Sequence, residues 1–363
     1  MNFALDDDQQ LIVDTVRRFA DRDLRSWAAS ADRAGTAPER LTSSAGEMGF
    51  FLDAVPASAG GLLEGAYSHL ARALRGLELG RGCAAMAALV EANVEPALAV
   101  GTWGSPQAQQ ALFGALVSAH GAGAGGSLAT FVHDSRGSLS VTGEGDDLRL
   151  TGKLGPAPAL AVASHVLVGT RDLLLLVPTA GLPREAIVPS GWRAAKWATV
   201  RLESHRVPSE LIVSRSRGAL AEVLSWARVS LAARAIGVAS AAIEHAESYG
   251  KERVQFGQPI GTFESLIRLR DDALTGIAAA RLMTLHAAWQ IDRGLATAAD
   301  AASRARVLAG DVVSRSTIDA VQIFGGYGFV NDYPVEKLMR DARPFEALLG
   351  DERLGRVLSQ KAS

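Results

Sequence analysis

The sequence has one cysteine, Cys83, in 363 residues. That excludes an internal disulfide framework and suits a reducing, cytoplasmic setting. Its seven histidines stand at 69, 120, 133, 165, 205, 245 and 286. None has the paired spacing or the cysteine partner that a metal site uses, so no metal is expected and they read as surface or core residues. Neither sign of charge dominates, with 37 Lys and Arg against 39 Asp and Glu. The balance gives no electrostatic reason to expect nucleic acid or an anionic membrane as partner. Long apolar runs are missing too: the longest charge-free one is CAAMAALV (83–90), and LLLLVPTAGLP (173–183) carries turn formers. Both fall short of the ~20 residues that span a bilayer. The start, MNFALDDDQQ, is acidic from its sixth residue and has no basic n-region, so it does not read as a secretory signal.

What is present is mostly apolar. Hydrophobic residues make up 48% and charged ones 21%, enough for a large core and too apolar for disorder. Residues 6–24 place Leu11, Ile12, Thr15, Val16 and Phe19 along one helical stripe. Asp6 followed by Gln9 predicts a capping box. Alanine-rich helices continue to about residue 118, broken at PASAGG (56–61) and GSPQ (104–107).

From about 120 the period changes. SLSVTGEGDDLRLTGKLG alternates Leu139 and Val141, then Leu148 and Leu150, with polar residues around a Gly-Glu-Gly turn. ASHVLVGT, LLLLVP and WATVRLESHRV are further short strand-like runs. Helices return after residue 214 as three long segments, 219–252, 262–293 and 297–324, whose short connections favour a bundle. The expected fold class is α+β: an N-terminal helical domain (1–119), a small antiparallel β domain (120–214) and a C-terminal four-helix bundle domain (215–363).

Three segments ask for a functional reading. GAGAGG (121–126) mimics a dinucleotide loop, but it follows a helix and leads into strands, so it reads as a linker. KERVQFGQPIGTFE (251–264) ends a long helix on an arginine and an aromatic residue, then turns through Gly257, Pro259 and Gly261. A guanidinium there can clamp a pyrophosphate and an aromatic ring can cover a planar group. QIFGGYGFVNDYPVEKLMRDAR (322–343) puts two adjacent glycines at a helix end, where one would suffice for a cap. Without Cβ atoms the backbone there can approach a ligand closely.

In this order and spacing the last two segments resemble the C-terminal bundle of the acyl-CoA dehydrogenase family, and the resemblance extends over the whole chain. It implies FAD as cofactor, a homodimer, homotetramer or heterotetramer with a related subunit, and α,β-desaturation of an acyl thioester carried by CoA or an acyl-carrier protein. Carried over by position, Arg253, Gln255 and Phe256 meet the FAD pyrophosphate and adenosine, with Glu264 nearby where the family commonly has glutamine. Gln322, Gly325 and Gly326 reach the cofactor from the neighbouring subunit, and Arg228 lines the substrate channel.

The resemblance breaks at the chemistry. The reaction needs a carboxylate within hydrogen-bond reach of the α-proton. Ungapped alignment from Arg340-Asp341-Ala342 to Gly350 puts Leu349 at the family's usual base position, and the alternative position is Ala227. Neither accepts a proton. Glu346, Asp351 and Glu352 are the displaced candidates; if 351–360 is helical, Asp351 also suits the first-turn dipole. The family's flavin-facing Thr-Glu-Pro…Gly-Ser-Asp and Trp-Ile-Thr-Asn stretches are replaced by GAGGSLATF and KLGPAPALA. Three readings follow: a family enzyme with a displaced base, a base-less subunit of a heteromeric enzyme, or a non-redox or biosynthetic protein on the same fold.

Overall fold

A computed structural model describes residues 4–121, 128–135, 137–143 and 145–348. Most of the GAGAGG segment, and the positions of Leu349, Asp351 and Glu352, lie outside the described residues.

The chain begins with α1 (Asp7–Phe19), closed by the expected box: Gln9 N donates to Asp6 Oδ1 at 2.8 Å and Asp6 N donates to the Gln9 side chain at 3.3 Å. The stripe differs from the expected one. Val16 and Phe19 face inward as expected, but Leu11 is 62% exposed and Val13 joins the buried face. The helix widens into a π-turn at Ala20–Arg25 before α2 (Ser26–Ala34), so 6–24 is not one uniform element. Then come α3 (Arg40–Glu47), α4 (His69–Val90), α5 (Val94–Trp103) and α6 (Pro106–Gly121).

Two four-stranded sheets follow. One has the order β1 (Leu128–His133), β4 (Ala163–Thr170), β5 (Leu173–Pro178), β8 (Ile212–Ser214). The other has β2 (Leu139–Thr142), β3 (Arg149–Ala157), β7 (Ala198–Arg206), β6 (Arg184–Ala186). All pairs are antiparallel except β1 with β4, which is parallel. The run LLLLV needs no polar face because both sides of β5 are covered. Leu174 and Leu176 pack toward α5, α6 and the start of α7, while Leu175 and Val177 pack against the second sheet.

The remaining helices are α7 (Arg217–Glu252), α8 (Glu264–Asp292), α9 (Ala298–Phe324) and α10 (Val335–Ala347). By length and composition α7 could cross a membrane, contrary to the reading of short apolar runs, but most of it is buried inside the protein. It is the central core helix.

A buried ion cluster locks α4 to α7. Glu91 is 2% exposed and receives Arg75 Nε at 3.1 Å and Ser230 Oγ at 3.2 Å, with Arg72 and Arg234 each at 3.8 Å. Burial alone would raise the Glu91 carboxyl, but the three guanidinium groups win and hold it below its ordinary value. A depressed acid contributes stability that is present above its unfolded pKa and lost as pH falls through the folded one. Glu91→Gln removes the carboxylate that three buried cations share, leaving Arg234 without one while Arg72 keeps Glu95 and Arg75 keeps Asp53, and is expected to cost about 3–5 kcal/mol. In denaturant melts the gap between wild type and variant is expected to hold near neutrality and close below pH ~4; a gap independent of pH would refute the assignment.

Candidate functional site

Two surfaces carry the residues singled out in the sequence. The first lies where α7 and α9 end. Arg253 caps α7, and its carbonyl accepts from Ile260 N at 2.8 Å, closing a small hairpin of β9 (Val254–Gln255) and β10 (Gln258–Pro259). Phe256 and Gly257 form its tip with φ of 51° and 79°. Both left-handed residues fit the tight hairpin turn, but only the glycine does so without steric cost. The Phe256 ring is 95% exposed.

Beside it, α9 ends at Phe324, whose ring stacks on Tyr249 of α7 at 4.1 Å, with Tyr333 edge-on to both. The Arg253 guanidinium lies 5.3 Å over the Tyr327 ring. The arginine segment and the glycine segment therefore share one surface of a single chain, whereas the sequence reading assigns them to different subunits. Gln322 is exposed on the last turn of α9. Gln255 folds back, its amide donating to Val254 O at 2.7 Å. The Glu264 carboxylate pairs with Arg268 of its own helix at 2.7 Å.

The glycines here separate by cause. Gly328 is a packing glycine, since a Cβ would meet Val321 O at 2.6 Å. Gly325 has φ of 58°, which favours glycine, and Gly326 has neither a positive φ nor an atom within 4 Å of a built Cβ. Nothing among the described residues requires glycine at 326. An unobstructed backbone next to a cation that has no carboxylate partner among the described residues leaves room for the phosphates of a dinucleotide.

The second surface is a cavity of about 160 Å³ at one end of the sheets. Phe131–Ser135 and Leu154–Ala157 line it, together with Trp197 and with Ala347 and Leu348 at the end of α10. These include parts of the two segments that replace the family's flavin-facing stretches. Its volume is below the ~300 Å³ at which small-molecule sites usually begin, and residues 122–127 and those after 348, which adjoin its lining in sequence, lie outside the described residues.

Two titratable groups line this cavity, and sequence reasoning missed both as site residues because only the fold brings the end of β1 to α10. Burial, with Arg228 adding to it, pushes His133 down to about 4. Asp134 is held below its ordinary value: burial opposes this, but donors from Leu139 N, Ser138 N, Ser138 Oγ and Thr170 Oγ1 prevail at 2.7–3.3 Å. It is a loop-closing acceptor. Arg228 is lowered by burial and by Arg306. Ala227 is buried beside it. Glu346 does not line the cavity; its Oε1 accepts from Ser314 Oγ at 2.6 Å and from Arg343 at 2.9 Å.

The Arg-Asp-Ala run has a structural purpose. Asp341 is fully buried, accepts from Trp192 N at 2.8 Å and pairs with Lys337. Arg340 joins Asp32 of α2 at 2.7 Å to Glu336 and to Ser190 O. This clamp fixes α10, and hence the direction in which the chain reaches residue 348 at the cavity.

The chain matches two family profiles: acyl-CoA dehydrogenase, N-terminal domain, over residues 6–120, and acyl-CoA dehydrogenase, C-terminal domain, over residues 217–361. A probable acyl-CoA dehydrogenase of Bacillus subtilis is 29% identical over 381 residues, covering 99% of this chain and 98% of the relative. Cyclohex-1-ene-1-carbonyl-CoA dehydrogenase of Geobacter metallireducens is also 29% identical, with the same coverage. Relatives so named are oxidoreductases acting on CH–CH bonds. Among solved structures, butyryl-CoA dehydrogenase from Megasphaera elsdenii superposes with a TM-score of 0.85 at 24% identity, over 100% of this chain and 99% of that one. An FAD complex of PigA superposes at 0.86 with 20% identity, over 100% and 99%. The chain belongs to the acyl-CoA dehydrogenase family.

Proposed function

We propose that the chain holds FAD and serves the α,β-desaturation of an acyl thioester, borne by CoA or by an acyl-carrier protein, and that alone it turns over little or nothing. One observation carries the second half: no free carboxylate lines the cavity among the described residues. Asp134 is bound by four donors, Glu346 is held elsewhere, and Ala227 offers a methyl group. Bound FAD would supply the acceptor for the hydrogen leaving the β-carbon as hydride. Arg253 would hold its phosphates, Gln322 and the open backbone at Gly326 would complete the grip, and Arg228 would face the thioester's entry.

A second reading has its own support. The chain is one subunit of a heteromer whose partner provides the base and completes the ring end of the cofactor site. Leu274, Leu282 and Trp289 form an exposed apolar stripe on α8, and Phe256 and Phe329 stand 95% and 72% exposed. A related chain packed on this surface would cover them.

If the nucleotide end makes most of the grip, ADP and FAD are expected to bind within about tenfold of each other by calorimetry, and Arg253→Gln to weaken both by about tenfold. FAD binding a thousandfold tighter than ADP would contradict the split. The purified homomer with FAD is expected to leave an artificial electron acceptor unreduced by acyl-CoA, and Leu349→Glu to bring measurable turnover if only the base is missing. Robust turnover by the wild-type homomer would reject the proposal; turnover only after co-expression with a related subunit selects the heteromer.

A further inference from the structure

A separate cavity of about 330 Å³ lies between α2, the middle of α4 and α7, and the segment leading into α10. Six cations line it, Arg25, Arg33, Arg81, Arg193, Lys337 and Arg340, against three carboxylates. Most of these cations are already neutralised. Arg340 holds Asp32 and Glu336, Lys337 holds Asp341, and Arg25 and Arg81 share Glu244 and Asp21. Among the described residues Arg193 and Arg33 have no carboxylate, and the buried Arg193 Nε has no hydrogen-bond partner. The third acid, Asp332, is exposed at the rim. Arg193 is half-buried, and a buried guanidinium nitrogen left without an acceptor is costly.

The loop that carries Arg193 is held in place from both sides. The Trp192 backbone and indole N–H donate to Asp341 Oδ1 and O at 2.8 and 2.9 Å. Trp192 takes φ of 53°, and a Cβ at Gly191 would lie 2.0 Å from Arg340 O. A strained backbone fixed by its surroundings marks a position held for a purpose. His245, on the same wall, is pushed down to about 4 by burial and by Arg25 and Arg81, in keeping with a positive field inside.

We propose that this cavity is an anion site that takes a phosphate group, clamped by Arg193 from within and by Arg33 at the mouth. The fork of a guanidinium matches two oxygens of a phosphate, and the volume leaves room for a small organic group behind it. The site adjoins the Arg253 surface through Tyr333 but uses different arginines, so it stands whether or not the cofactor reading does.

The test titrates inorganic phosphate, and in a second arm glycerol 3-phosphate, into the full chain at constant ionic strength by calorimetry. One saturable site is expected, weakened about tenfold by Arg193→Gln and about threefold by Arg33→Ala, with Arg304→Gln as a surface-charge control that leaves affinity unchanged. Tighter binding of the ester identifies a phosphorylated metabolite as the ligand; equal binding identifies the free ion. Arg33 is exposed, so its variant tests the site even where loss of Arg193 disturbs the loop. No saturable heat from either ligand, or affinities equal in wild type and both site variants, would overturn the proposal.

Discussion

The buried carboxylate of Asp341 is the constraint on which the cavity at the sheet ends and the Arg193 cavity both depend. It receives the Trp192 backbone from the β domain's long loop and the Lys337 ammonium from its own helix. Next to it, Arg340 reaches the N-terminal helices through Asp32. Three regions of the chain thus meet on two consecutive side chains, one fully buried. Removing one partner from such a pair typically costs several kcal/mol, because the remaining charge has no water. The consequence is positional: α10 cannot rotate, so Leu348 is delivered to the cavity at the ends of β1 and β3, and Arg193 is delivered to the phosphate-sized cavity on the other side.

On the proposed reading, chemistry and scaffold have diverged within this frame. The scaffold side is intact: a core helix buried along its length, a Glu91 cluster holding the lobes together, and an open cationic surface at the ends of α7 and α9. On the proposed reading the chemical side is reduced. The described side chains that line the cavity at the end of β1 are apolar residues, Trp197, two serines, a histidine kept neutral by burial, and an aspartate whose oxygens are committed to donors. A carboxylate engaged by four donors is a poor base, since each hydrogen bond stabilises the ionised form it would have to give up.

Much of the fold was legible because its signals are local. The Asp6–Gln9 box, the three long helices and the β2–β3 hairpin are written within a few residues of one another. Leu11 was misplaced because the stripe is set by which face meets α4, not by periodicity alone. The parallel β1–β4 pair was not legible, since strand partners distant in sequence leave no local trace. The same holds for the site: the motifs at 253 and 325 were found, but their meeting through Tyr327 was not, and neither were His133, Asp134 or Arg193.

The most direct test of the central claim isolates proton abstraction from redox chemistry. A saturated acyl-CoA incubated with the full chain in deuterium oxide, and followed by mass spectrometry, reports exchange at the α-carbon. The account predicts no exchange above the protein-free rate. Exchange by the wild-type chain, lost on replacing any one carboxylate, would show that a base is present and contradict it.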